Sequence, residues 1–248
     1  MIKDTMLSTE PRPPARIHAS IEPLHWENRF FNLAGGKLNF SADAPPLTQD
    51  RLNRFTLTQA KIAADNMPLA DALADFGFRL VEGEIDLCLS LNDTPQTDIP
   101  PYLRIARNAD IPALRAAAAQ AFALSRFRPP WYRPGDSGRF YAQWVENAVC
   151  GTFDHQCLLV ESASGEPQGW VTLRRLNEAE ARIGLLAVWP GIAARGIGTQ
   201  LMSAAERWCR QQGVQRLWVA TQAGNVAALR LYLRRGANVE STAYWLYR

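Results

Sequence analysis

The sequence predicts an α/β protein in which an antiparallel meander leads into a strand–helix–strand unit, preceded by a smaller N-terminal α/β domain. Two observations carry this prediction. Residues 181–221 hold a strand-like apolar run, a glycine loop, a segment with helical periodicity and a second apolar run. Residues 156–188 contain three strand-like runs separated by turn residues, which is typical of an antiparallel meander.

Three segments are expected along the chain. Residues 1–16 are polar and proline-rich, so we expect a flexible leader outside the fold. Residues 17–95 form the predicted N-terminal domain and residues 101–248 the second domain. The boundary is placed at Asn92–Pro101, where prolines and threonines predict a linker.

In the N-terminal domain we expect a helix over residues 48–66 and another over Leu69–Asp75, ended by Gly77. The alternation of apolar and polar residues over Phe78–Leu89 predicts a strand with one solvated face. The second domain is predicted to open with a strand at Tyr102–Ala106.

A helix capped by Asp110 should follow that strand, and a second helix is predicted at Phe140–Val149. Between them, Ser125–Gly138 is too long and too apolar for a passive connection. Ser241–Tyr247 supplies the predicted last strand.

Composition narrows the possible partners. The chain has 248 residues, 47% of them hydrophobic and 21% charged, with a net charge of +3. The arginines are dispersed, so nucleic-acid binding is not indicated, and the basic balance suits an anionic cofactor or substrate. No apolar run has the length of a membrane span, and no signal-peptide core is seen at the N-terminus. We therefore expect a cytoplasmic protein without a membrane partner.

The four cysteines lie in apolar contexts without metal-ligand spacing. Free thiols in a reducing compartment are the simplest interpretation. The three histidines, His18, His25 and His155, fit neither a nucleophile nor a metal pattern, so no metal is predicted.

The glycine loop before the central helix is a candidate anion site. Leu201, Ala204, Ala205 and Trp208 mark one apolar helical face that begins near Ile197. The first turn of such a helix leaves backbone N–H groups unpaired at the positive end of the helix dipole, where pyrophosphate binds well. Two glycines alone are equally consistent with a turn and a cap.

The continuation makes the pattern more specific. Asn225, Ala228, Tyr232 and Gly236 follow the second strand at fixed intervals. Asn225 and Tyr232 are separated by about two helical turns, which places both side chains on one face.

These residues resemble the acetyl-CoA-binding core of the GNAT acetyltransferases, whose loop reads Gln/Arg-x-x-Gly-x-Gly/Ala. Here the loop is Ala193-x-x-Gly196-x-Gly198, and Arg195 supplies a charge near the position where Ala193 departs from the pattern. The resemblance implies a mixed, mostly antiparallel central sheet flanked by helices, with acetyl-CoA as co-substrate.

The resemblance also implies roles along the unit. Arg195, Gly196, Ile197, Gly198 and Thr199 would hold the pyrophosphate. The backbone of Leu186, Ala187 and Val188 would contact the pantetheine arm and the thioester. Asn225 would cap its helix, contact the cofactor, or do both.

Tyr232 is the predicted general acid. A phenol with a pKa of about 10 can donate a hydrogen bond to a departing thiolate, whose thiol has a pKa of about 8.5. A buried helix-face aromatic is the alternative. Glu82 is the candidate base, and its alternative is a solvated strand carboxylate.

Both halves of the chain resemble GNAT enzymes that acetylate the amine of a dTDP-linked 4-amino-4,6-dideoxyhexose in enterobacterial common antigen biosynthesis. The segments that carry this resemblance include 24–31, 78–84, 125–132, 151–157 and 236–245. It implies a homodimer. Arg126 and Arg128, with Trp131 and Tyr132, offer charge for a diphosphate and flat surfaces for a ring, although these aromatics would also suit simple packing.

Two other functions fit the same core. A peptide or protein N-terminal acetyltransferase would need a groove open to a peptide. A non-catalytic acetyl-CoA-binding module would bind the cofactor without turnover.

Overall fold

The structure is a computed structural model that describes residues 16–92, 100–192 and 196–248. The chain divides into two compact units. The first comprises the described residues up to 62, with 66–79 and 246–248, and the second comprises residues 63–65 and 80–245. Among the described residues no helix is both long and apolar enough to cross a membrane.

The first unit is a small three-stranded α/β assembly. Its elements are β1 (Ala19–Pro23), α1 (His25–Phe31), β2 (Gly35–Phe40), α2 (Gln49–Leu52), β3 (Leu57–Ala63) and α3 (Met67–Asp75). β1 pairs antiparallel with β2, and β2 pairs parallel with β3. Its apolar interior includes Ala19, Phe31, Leu38, Leu52, Leu57 and Leu73.

The helix predicted over residues 48–66 is wrong. Thr48 caps only the four-residue α2 by accepting a hydrogen bond from the Arg51 amide. The chain then becomes β3, because residues from Leu57 onward pair with the backbone of β2, beginning opposite Gly35. A partner strand distant in sequence overrides the weak local preference for helix.

The second unit is built around a mixed sheet. Its strands are β4 (Arg79–Ser90), β5 (Leu103–Ile105), β6 (Gln156–Glu161), β7 (Pro167–Arg175), β8 (Glu180–Val188), β9 (Arg216–Gln222) and β10 (Asn238–Tyr247), in the order β10-β4-β9-β8-β7-β6-β5. β5 to β8 pair antiparallel in succession, and β4 pairs antiparallel with β9, whereas β8 and β9 are parallel. This confirms the predicted mixed, mostly antiparallel sheet and the meander within it.

Helices cover both faces of this sheet. α4 (Ile111–Ala121) and α5 (Asp136–Val149) share one apolar cluster with Trp170 and Leu185. α6 (Ile197–Gln211) and α7 (Val226–Arg234) share the other, in which Leu201, Ala204 and Ala205 are almost completely buried, as the periodicity predicts.

The compact units divide the chain near Arg79 and Leu80, a different place from the predicted linker, of which residues 93–99 lie outside the described part. β4 groups with the second unit because it pairs with β9 along seven residues, Glu84–Ser90. The division into domains 17–95 and 101–248 stays a prediction.

Candidate active site

The parallel strands β8 and β9 separate part-way along their length. Their paired residues run from Glu180 opposite Arg216 to Ile183 opposite Val219, although β8 continues to Val188. On its other edge β8 stays paired with β7 as far as Val188. The amides of Leu185 and Trp189 point toward β7, so by alternation those of Leu186 and Val188 point toward the gap beside β9. This edge suits an extended, amide-bearing ligand.

A buried polar network holds β8 near Leu185, where the register between β8 and β7 shifts. The Leu185 amide donates to Thr172 Oγ1 at 2.8 Å, and that hydroxyl donates to Asp154 Oδ2 at 2.6 Å. The same carboxylate oxygen accepts from Trp144 Nε1 at 2.8 Å. A Cβ atom at Gly184 would lie 2.2 Å from Asp154 Oδ2, so only glycine lets this carboxylate approach the strand. The network thereby fixes the backbone at the point where β8 leaves β9.

The N-terminus of α6 faces the same gap. Gly196 caps the helix with a φ of +77°, a conformation that favours glycine. The Gln200 amide is bonded to the Gly196 carbonyl, and the amides of Ile197, Gly198 and Thr199 precede it in the first turn, where no acidic side chain is present. A Cβ at Gly198 would lie 3.1 Å from Leu231 Cδ2, so the small residue lets α6 and α7 pack closely.

α7 supplies Asn225 and Tyr232. Asn225 caps the helix, because its Oδ1 accepts from the Ala228 amide at 3.2 Å. Its Nδ2 donors are not used in this bond. Tyr232 is 4% exposed, and burial raises the pKa of its hydroxyl. The phenol therefore remains protonated at neutral pH.

These features line one cavity of about 680 Å³. Most of the sequence-predicted site residues meet there. They are Glu82, Arg126, Leu186, Ala187, Val188, Gly196, Ile197, Gly198, Thr199, Asn225 and Tyr232. Ala193 and Arg195 lie outside the described residues.

Glu82 and Arg126 are in contact within the cavity lining. The Glu82 carboxylate accepts hydrogen bonds from the Gln222 side chain and the Arg126 backbone. Burial raises the pKa of Glu82 above its ordinary value, Arg126 opposes that rise, and Glu84 adds to it. The Arg126 guanidinium lies 4.1 Å from the Trp245 ring centroid, and Trp245 Nε1 donates to Glu84 at 2.8 Å.

The other residues predicted to bind substrate lie elsewhere in the loop. The Arg128 guanidinium donates to the carbonyl oxygens of Pro129 and Val81. Tyr132 is 5% exposed and packs edge-on against Phe127 at 5.2 Å. Neither of these residues, nor Trp131, belongs to the described lining of the cavity.

Several lining residues escaped sequence reasoning. Arg174 and Arg182 are opposite each other on β7 and β8, and Tyr141 and Trp144 come from α5. The helical spacing of Tyr141 and Trp144 predicts only a shared face. Arg174 follows Trp170 and Thr172 at two-residue intervals, which predicts that the three side chains lie on one face of a strand. This spacing does not show that a cavity lies there.

Comparison with known proteins identifies a family and relatives that this chain resembles. The model of the acetyltransferase (GNAT) family matches residues 119–237. A dTDP-fucosamine acetyltransferase of Escherichia coli O6:H1 is 54% identical over 232 residues, which cover 94% of this chain and 99% of that protein. This chain belongs to the GNAT acetyltransferase family. It is an acetyl-CoA-dependent N-acetyltransferase.

Two more distant proteins match, one in sequence and one in fold. The spore coat polysaccharide biosynthesis protein SpsD of Bacillus subtilis is 26% identical over 60% of this chain and 51% of its own length. A GCN5-related N-acetyltransferase from Kribbella flavida superposes with a TM-score of 0.59 at 18% identity, covering 94% of this chain and 89% of that one.

The cavity of this GNAT acetyltransferase offers donors of the kind that acetyl-CoA would use. The α6 amides and helix dipole suit a diphosphate, and the unpaired edge of β8 suits the amide-bearing pantetheine arm. Acetyl-CoA supplies an activated thioester. Among the described residues, no cluster of three or more metal-ligating side chains occurs.

Proposed function

We propose that this protein transfers the acetyl group of acetyl-CoA to the 4-amino group of dTDP-4-amino-4,6-dideoxy-D-galactose (dTDP-fucosamine). The observation that carries the proposal is the 54% identity, along 99% of its length, to a protein named dTDP-fucosamine acetyltransferase. The cavity also supports it, since its lining combines a carboxylate, arginines and aromatic rings with the backbone of β8 and the first turn of α6.

In the proposed reaction the amine nitrogen attacks the thioester carbon directly. The N–C bond forms, the C–S bond breaks, and the sulfur leaves as a thiolate. The amine loses its proton to the Glu82 carboxylate, directly or through water. The Leu186 and Val188 amides face the gap where the thioester oxygen gains charge, and Tyr232 donates a hydrogen bond to the departing sulfur.

The role of Glu82 predicts a specific pH profile. Because a base must be deprotonated and burial raises the pKa of Glu82, kcat/KM should fall on acidification at a pH above the ordinary range of glutamate. Glu82→Gln should lower kcat by about 10²-fold or more and remove this acidic limb, leaving only the ionisation of the substrate amine. Steady-state rates between pH 5 and pH 9 would measure both effects.

Glu166, an exposed turn residue outside the cavity, provides the matched control. Glu166→Gln should keep the rate and profile of the unmodified protein. An acidic limb that persists unchanged in Glu82→Gln would contradict the proposed base.

Glu82 should also make stability depend on pH. Since its raised pKa favours the protonated form in the folded state, Glu82 contributes to stability below its unfolded-state pKa and loses that contribution as pH rises through the folded-state pKa. Glu82→Gln should therefore be relatively more stable at neutral than at acidic pH.

The acceptor is tested with the full chain and acetyl-CoA, following release of the CoA thiol. We expect turnover with dTDP-fucosamine to exceed that with amino-terminal peptides by at least about 10³-fold, because only the nucleotide sugar presents both a diphosphate and an amine. N-acetylation at C4 would be identified by NMR of the product. Preferential acetylation of peptides would instead establish an N-terminal acetyltransferase.

The cellular setting forms the remainder of the proposal. We place the enzyme in the cytoplasm, as a homodimer without a metal, on the route to enterobacterial common antigen. Four free cysteines, Cys88, Cys150, Cys157 and Cys209, support a reducing compartment. The resemblance of both halves of the chain to dTDP-fucosamine acetyltransferase supports the pathway and the dimer.

A further inference from the structure

Arg174 lines the cavity, and none of the described residues gives it an acidic partner. It lies on β7 directly opposite Arg182 of β8, and both line the cavity. Arg182 forms two hydrogen bonds to Asp86, at 3.0 and 2.9 Å. Arg174 has no salt bridge or hydrogen bond to any described residue, and its Nε atom is buried without a partner.

This arrangement is costly unless a ligand completes it. A buried donor without a partner loses its hydration without compensation, and two like charges facing each other across strands repel. Asp86 neutralises Arg182 only. The guanidinium of Arg174 stands 4.5 Å from the Phe153 ring centroid, so the ring supports its flat face and leaves its N–H groups for an anion.

That anion is distinct from the diphosphate of acetyl-CoA. The backbone amides that would bind acetyl-CoA lie at the end of β8 and at the start of α6, whereas Arg174 is opposite the beginning of β8. Val188 follows Arg182 by six positions along the strand, or about 20 Å. A single diphosphate therefore does not reach both positions.

We propose that Arg174 binds the diphosphate of the nucleotide-sugar acceptor. This inference rests on the proposed function, and it names a residue that fixes the acceptor class. A guanidinium matches the geometry of phosphate oxygens with two parallel N–H bonds, and the acceptor carries its diphosphate one sugar ring away from the reacting amine.

The test compares Arg174→Gln with the neighbouring substitution Arg175→Gln. Arg175 is exposed and its guanidinium donates to the carbonyls of Asn177 and Glu178, away from the cavity lining. Arg174→Gln should raise the KM for dTDP-fucosamine and the Kd for dTDP by about 10- to 100-fold, with the KM for acetyl-CoA unchanged. Arg174→Lys should recover part of the loss, because it keeps the charge but not the paired donors. Arg175→Gln should leave all three constants unchanged.

A measurement on the unmodified protein guards against misfolding of the variants. Phenylglyoxal modification, mapped by mass spectrometry, should be suppressed at Arg174 by dTDP and remain the same at Arg175. Equal modification of Arg174 with and without dTDP would overturn the inference.

The two proposals fail separately. Acetylation of dTDP-fucosamine by the unmodified chain, together with an unchanged dTDP affinity in Arg174→Gln, would overturn the role of Arg174 and leave the function standing. Binding of dTDP that depends on Arg174, without acetylation of dTDP-fucosamine, would support the diphosphate site and contradict the proposed function. No binding of dTDP to the unmodified chain would overturn the inference.

Discussion

Tyr232→Phe is expected to lower kcat by about 10²- to 10³-fold while leaving the affinity for acetyl-CoA nearly unchanged. The substitution removes one oxygen atom and keeps the ring that fills this buried position. Because burial raises the pKa of Tyr232, the hydroxyl holds its proton at neutral pH and donates a hydrogen bond without transferring the proton completely. Such a bond matters only when the sulfur gains charge, so the loss should appear in kcat.

Steady-state kinetics with dTDP-fucosamine, together with calorimetric binding of CoA, separate the two effects. Tyr102 is 55% exposed and lies outside the cavity lining, so Tyr102→Phe is the matched control and should behave as the unmodified enzyme. Turnover by Tyr232→Phe at the unmodified rate would refute the proposed acid. Loss of CoA binding would assign the residue to cofactor positioning instead.

Arg235→Ala should reduce the free energy of unfolding by about 3–5 kcal/mol. Arg235 follows α7, and its guanidinium donates three hydrogen bonds of 2.7 to 2.9 Å to Glu206 of α6. The Glu206 side chain is only 2% exposed, so removing Arg235 leaves a buried carboxylate without this partner. The pair also joins the two helices that carry Gly196 and Tyr232, so we expect weaker binding of acetyl-CoA as well.

Urea unfolding followed by circular dichroism measures this effect. The preceding residue, Arg234, is exposed and provides the control. Arg234→Ala should change the free energy of unfolding by less than about 0.5 kcal/mol. Replacing both partners, with Arg235→Met and Glu206→Leu, should recover most of the loss, because no buried charge then remains. A double variant as unstable as Arg235→Ala would show that packing, and not the uncompensated carboxylate, causes the loss.

Local patterns were sufficient for much of the candidate site. The periodicity after Ile197 predicts α6, Gly196 takes the left-handed conformation that its loop position requires, and Asn225 caps α7 two turns before Tyr232. Each of these features depends on residues within a few positions of one another. The resemblance to GNAT enzymes then assigned their chemistry, and the family assignment is confirmed.

Long-range pairing accounts for what the local pattern missed. Residues 57–63 fall within the helix predicted from the sequence, yet they become β3 because β2 offers backbone partners. Neighbouring arginines in one loop looked equivalent, but Arg126 stacks on Trp245 from the far end of the chain, whereas Arg128 bonds to the Val81 carbonyl.

By itself, then, the sequence determined the helices and strands of the unit that contains the glycine loop, its glycine turn, and the spacing of Asn225 and Tyr232. These follow from backbone preferences and periodicity within one or two elements. Only the tertiary structure decided where β8 separates from β9, which arginines line the cavity, and that Arg174 alone of the facing pair lacks an acid among the described residues. The physical reason is that burial and charge pairing depend on which distant strands become neighbours, and periodicity within one segment carries no information about its partners.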